Sequence, residues 1–251
     1  MNWRFLHHDA PWHDFHMVQT GHRRGAIGDI AALPAAYRRL PPSPAPNTPG
    51  TAMGKAFVNG EPWYEAHPSR DVREIYGPAF DAYDARFALW VSVLNGATMG
   101  HTYGAQGIWN WKRPGDDEED MAGPQIGPLW HEALALEGAA HCGQAVRLLR
   151  DLPWWRLEPA PERVRQDPPP PPDYRPACAR SPEELWVIYL PTGASRLTVL
   201  GLEESAWLAA WFDPCLGVNH DVGAATADET GLWAAPPAPN GADWVLLLRR
   251  E

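Results

Sequence analysis

Basic charge is scarce in this chain of 251 residues. Lysine and arginine together number 21 against 31 acidic residues, a formal net charge of −10. A partner as densely anionic as nucleic acid calls for the opposite balance. Cysteine is scarce as well. Cys142, Cys178 and Cys215 lie far apart with no metal-type spacing. They allow one disulfide and a free thiol, or reduced thiols throughout, and leave the compartment open. No apolar run reaches the length of a membrane span, so no membrane partner is expected. No serine stands in a nucleophile-elbow pattern and no glycine-rich phosphate loop is present. Esterase and nucleotide chemistry thus lose their usual signals, and no cofactor is expected. Met1 to Asp9 lack the apolar core of a signal peptide and read like the interior of a longer protein.

What the chain does have is tryptophan, 14 copies, and proline, 28. With 45% hydrophobic residues it can bury a sizeable core. Tryptophan in this number fits a rigid scaffold with aromatic platforms, most copies being core. Strand-like residues 14–20 are followed by a helix over about 27–40, with Asp29 in its first turn and Pro41-Pro42 ending it. A proline-rich loop, 41–50, leads to a strand at about 55–61. Ser69 is placed to cap a short helical segment. A helix over 80–94 stops at Asn95-Gly96, and a third strand, 98–103, precedes a loop with Trp109 and Trp111. The acidic run 116–120 is a solvated loop or a cation site. A helix over 129–152 completes an alternation that implies parallel strands with helices outside them.

Beyond residue 152 the texture changes. The unbroken run Pro168 to Pro172 reads as an extended spacer or exposed loop. Short strand-like runs follow at 184–190, 196–202, 207–212 and 243–248, separated by turns and by no helix. They predict a small antiparallel β-sandwich. The expected division is therefore 1–155, α/β, and 156–251, all-β.

Phe57 to Glu65 (FVNGEPWYE) is the most informative stretch. A β-type run ends on a carboxylate and breaks at Pro62 among aromatics. In parallel α/β enzymes the C-terminal ends of strands form the binding face. A glutamate there, ringed by tryptophan and tyrosine, is what sugar chemistry uses: a carboxylate for the anomeric carbon and flat faces for the ring. An ordinary surface glutamate after a strand has the same local pattern. Alternation puts Phe57, Asn59 and Glu61 on one strand face. Trp63, Trp109 and Trp111 are candidate platforms, one of them expected in the core. His7, His8, His13, His16 and His22 form a histidine-rich segment, but their spacings match no standard zinc signature, and His13 and His16 would not share a strand face. His131-Glu132 lacks the second histidine of a zincin motif. No metal site is therefore expected.

Read together with His13 to His22 (HDFHMVQTGH), Leu94 to Trp109 (LNGATMGHTYGAQGIW), Ala210 to Gly217 (AWFDPCLG) and Asp243 to Leu248 (DWVLLL), this stretch resembles the apiosidase-like glycoside hydrolases. The resemblance covers nearly the whole chain. It implies the last three βα units of a (β/α)8 TIM-type barrel, a partial barrel here, followed by a β-sandwich labelled collagen-binding. It further implies a glycosidase acting on plant-type polysaccharide or its side chains, part of polysaccharide degradation in carbohydrate metabolism. Glu61, at the end of the barrel's seventh strand, would be the nucleophile of a two-carboxylate mechanism. Glu65 would bind or orient substrate, or else cap or salt-bridge. Gln19, His22, Asn59, Trp63, Tyr64, His101, Tyr103 and Trp109 would contact the sugar; His101 and Tyr103 would otherwise hold Glu61 or belong to the core. The general acid would come from a barrel half absent here, supplied as a separate chain or replaced by self-association. The alternative is a carbohydrate-binding remnant without catalysis. Family members are generally exported, which points to an extracytoplasmic site.

Overall fold

Three parallel strands, β1 (Phe15–Gln19), β2 (Ala56–Glu61) and β3 (Gly100–His101), form a sheet in the order β1-β2-β3. The computed structural model describes residues 8, 10, 12–40, 55–71, 77–116, 119–120, 123–124, 126–181, 184–203 and 206–250. The expected loop 41–50 lies outside them, as do 72–76, where Ser69 was expected to cap a helical segment, and part of the acidic run. Between the strands run α1 (Ile27–Arg38) and α2 (Ala82–Leu94). Helix α1 buries Ile30, Leu33, Pro34 and Tyr37, a one-face spacing that sets it on the sheet. Helix α2 starts where Asp81 accepts from the Asp84 N–H and the Asp84 carboxylate accepts from the Asp81 N–H. Arg24 then grips Asp84 through two bonds of 2.7 and 3.0 Å.

The third strand is shorter than expected, only Gly100–His101. A small hairpin pairs β4 (Glu119–Asp120) with β5 (Gly123–Pro124). The single helix expected over 129–152 is two: α3 (Trp130–Ala133) and α4 (Glu137–Arg150). Leu136 adopts an extended backbone between them, which exposes the first N–H groups of α4 to a carboxylate described below.

The remaining strands are β6 (Glu158–Pro159), β7 (Val164–Asp167), β8 (Ala177–Ser181), β9 (Leu185–Leu190), β10 (Arg196–Leu200), β11 (Trp207–Asp213), β12 (Val218–Ala225), β13 (Leu232–Ala234) and β14 (Trp244–Arg250). They build an antiparallel six-stranded sheet, β12-β11-β14-β9-β8-β6, and a three-stranded one, β13-β10-β7. Every residue of β9 is buried. Leu185, Val187 and Tyr189 join Phe87, Trp90 and Leu148 of the helices in one core. Trp186, Ile188 and Leu190 join Leu197, Val199 and Trp233 in another. The central strands of the six-stranded sheet are thus covered on both faces, by α2 and α4 on one and by the smaller sheet on the other, while edge strand β12 stays largely exposed. After the exposed prolines, Tyr174 lies 5.7 Å from Phe87, ring to ring. Arg86 of α2 fixes the junction: its guanidinium donates twice to Asp243, at 2.8 and 3.0 Å, and Tyr189 donates to the same carboxylate.

Candidate active site

The residues at the C-terminal ends of β1 and β2 converge because of one irregularity. Val18 stands opposite Asn59, but Gln19 stands opposite Glu61, so Gly60 is an extra residue in β2. Such a bulge turns the following side chain over. Asn59 points to the helices, fully buried, donating to Thr20 Oγ1 at 3.2 Å and Ser92 Oγ at 3.0 Å. Glu61 points the other way, to the open face of exposed Met17 and Gln19. The single face expected for Phe57, Asn59 and Glu61 is therefore corrected. Simple alternation missed the bulge. The Gly60 carbonyl accepts from the Thr102 hydroxyl at 2.7 Å, and the Glu61 carbonyl accepts from the Gly21 N–H. A Cβ on Gly60 would overlap the Met17 side chain.

Two donors hold the Glu61 carboxylate, which is 30% exposed. The Gln19 amide donates to Oε2 at 2.7 Å, and His22 Nε2 stands 3.4 Å from Oε1. His22 Nδ1 accepts from the Tyr64 N–H, which leaves its proton on Nε2, facing Glu61. Burial, with His67 and Arg70 nearby, pulls His22 down to about 3, so the ring is a neutral donor near pH 7. The His67 ring stacks on it at 4.0 Å and 25°. His67 donates from Nδ1 to the Pro68 carbonyl at 2.7 Å, and burial lowers it to about 4. Tyr64 lies 4.7 Å from His22, its ring occupying the space where a side chain on Gly104 would stand. Burial first, then Glu61, raises its phenol. Trp109 is 6.4 Å from His67 and anchors its indole N–H on Gln106 at 2.7 Å.

Other sequence candidates lie elsewhere. Glu65 is almost fully buried and turned to α4, accepting from the Tyr103 hydroxyl at 2.6 Å and the Gly138 N–H at 2.9 Å. It caps that helix, the alternative role expected for it. Burial raises its carboxyl above the ordinary range despite both bonds. Tyr103 is committed to Glu65 rather than Glu61 and packs against the helical core. His101, register partner of the inward Asn59, has a buried Nδ1 without a hydrogen bond, and burial lowers it to about 3. Neither residue holds Glu61. Trp63 is the core tryptophan, stacked on Phe80 at 4.8 Å. Asn59 and Trp63 form the floor, out of a ligand's reach. His67 and Thr102 were not candidates; one sits in a loop and the other serves a bulge, and neither leaves a periodic signal.

At the opposite end of the sheet His16 lies 3.0 Å from both His8 and His13, nitrogen to nitrogen. His13 precedes β1 and folds back, so strand alternation does not keep the two apart. The neighbours use different nitrogens of His16. Among the described residues no group of three His, Cys, Asp or Glu is disposed to hold a metal ion.

Residues 2–156 match the family model described as "Apiosidase-like, catalytic domain", and residues 168–249 match "Putative collagen-binding domain of a collagenase". Two solved structures share the fold. One, described as a glycoside hydrolase, is 21% identical with a TM-score of 0.78, covering 96% of this chain and 54% of its own. The other, a glycoside hydrolase family 5 protein from Bacteroides vulgatus ATCC 8482, is 20% identical with a TM-score of 0.76, covering 96% and 52%. The chain thus spans about half the length of these structures. No protein of curated function matches it.

Proposed function

The chain belongs to the apiosidase-like family, and from that membership we propose that it carries the nucleophile side of a glycosidase active site, with Glu61 attacking the anomeric carbon. The supporting observation is the bulge at Gly60, which brings Glu61 to the open face beside two donors, Gln19 and His22. The attack forms a glycosyl ester as the glycosidic C–O bond breaks, and water then releases the sugar. Gln19 and His22 orient the carboxylate, Tyr64 walls the ring, and Trp109 offers a flat face. The substrate is plant-type polysaccharide or its side chains.

A retaining reaction needs a second carboxyl about 5–5.5 Å from the first. Glu65, the next acid along the chain, is committed to α4. The general acid then comes from further βα units outside these residues. In this reading residues 1–155 are three βα units of a (β/α)8 barrel and 156–251 a β-sandwich that braces them. The commitment of Glu65 equally favours a second reading: a carbohydrate-binding protein without catalysis.

Release of nitrophenol from a panel of 4-nitrophenyl glycosides separates the two. Glu61→Gln should lower kcat by more than about a thousandfold with binding retained. A variant as fast as the parent removes Glu61 as nucleophile. A parent that retains polysaccharide but cleaves none of these aryl glycosides, whose nitrophenolate leaves without a general acid, supports the binding reading.

A further inference from the structure

The loop that carries Trp109 holds a second aromatic feature that the reading above leaves unused. Trp111 is 57% exposed and its ring lies flat on Trp130, 4.8 Å apart and 9° from parallel. Only one ring face is covered by this stack. The backbone of Trp111 has φ +50, a left-handed conformation that is strained for a bulky residue. The loop enforces it. The Gly107 N–H donates to Asn110 Oδ1, the Lys112 N–H to the Gly107 carbonyl, the Trp130 N–H to the Lys112 carbonyl, and Lys112 Nζ to the Gly127 carbonyl. Gly107 itself is hemmed in by the Pro128 carbonyl and Ala133. An indole presented on a strained, well-tied turn is displayed rather than stored.

We propose that Trp111, backed by Trp130, is a distal sugar platform that takes a residue of a polysaccharide chain beyond the unit at Glu61. The flat outer face of an indole suits the apolar C–H face of a pyranose, and backing by a parallel ring keeps it from collapsing. The platform shares a turn with the site: Glu61, His22, His67 and Trp109 follow one another at the spacings given above, and Trp111 stands two residues beyond Trp109, its N–H donating to the Ile108 carbonyl. A ligand of one or two sugars would end before it. A polymer would reach it. The inference rests on the glycosidase reading only for which end of the chain is cut.

The test is electrophoresis in native gels cast with citrus pectin, wheat arabinoxylan or tamarind xyloglucan, comparing the parent with Trp111→Ala, Trp130→Ala, Glu61→Gln and Trp155→Ala. Trp155 is equally exposed but far along the chain, in a different turn. The parent and Trp155→Ala should be retarded by at least one polymer. Trp111→Ala should lose about tenfold in affinity and Trp130→Ala a smaller factor. Retardation of Trp111→Ala equal to the parent overturns the platform, as does a parent that none of the polymers retards. Retention that depends on Trp111, with no release of nitrophenol from the aryl glycosides by the parent, leaves the platform standing and removes the glycosidase reading instead.

Discussion

Gln19 and His22 show how much hangs on single donors. Their bonds to Glu61 fix its rotamer without contributing atoms to the reaction. Replacing Gln19 by alanine should lower kcat about tenfold to a hundredfold with a smaller change in KM, measurable by steady-state kinetics on an aryl glycoside. Histidine burial makes a second prediction. His16, His22 and His67 have native values near 4, 3 and 4, against an ordinary 6.5. Below pH 6.5 the unfolded chain takes up protons that the native chain refuses. Stability is therefore complete above about pH 6.5 and falls as the pH drops toward 4, by up to about 1.4 kcal/mol per pH unit for each histidine. Urea midpoints at pH 7.5 and 5 should show the loss, and His67→Phe should flatten it; an unchanged slope would contradict the burial of that ring. That Glu61, His22 and Tyr64 gather at one strand end was legible in sequence, because a strand end among aromatics is a local signal. Asn59 faces inward by the same alternation as Phe57, while the outward turn of Glu61 depends on the bulge at Gly60, the core place of Trp63 on Phe80 and the capping role of Glu65 on a helix start at Glu137, none of which a local window contains.

At the level of elements, strong periodicity carried the reading. Helices α1 and α2 and strands β2, β9, β11 and β14 fall where their apolar spacing puts them. Strand β8, Ala-Cys-Ala-Arg-Ser, has no β-branched residue, and exposed β12 is drawn into the sheet by pairing with β11, so neither announces itself. The junction between α2 and the six-stranded sheet yields a prediction. Arg86 and Asp243 are both buried, and removing one leaves the other charge without its partner. Arg86→Ala should cost about 3–5 kcal/mol in denaturant unfolding, while Arg86→Met with Asp243→Leu should cost clearly less. Glu65→Ala should cost about 1–3 kcal/mol by stranding the Tyr103 hydroxyl and the Gly138 N–H. Glu65→Gln, which keeps an acceptor, should cost less in the same measurement.

Over the whole molecule the two sheets differ in one respect. The central strands of the six-stranded sheet are covered on both faces, whereas the parallel sheet shows Phe15, Met17 and Gln19 to solvent on one face. Parallel sheets are ordinarily covered on both sides, and among the described residues β1 and β3 each have one neighbour. The isolated chain should bind a fluorescent apolar dye at this face, and Met17→Gln should reduce the signal. No change would place the dye elsewhere. The doubly covered sheet has a consequence for descent. Tyr189, Phe212, Val245 and Leu247 lie in one core with α2 and α4, so the antiparallel half is not a cassette that recombination can lift out and graft onto another enzyme. A viable graft has to inherit the buried faces of both helices along with it.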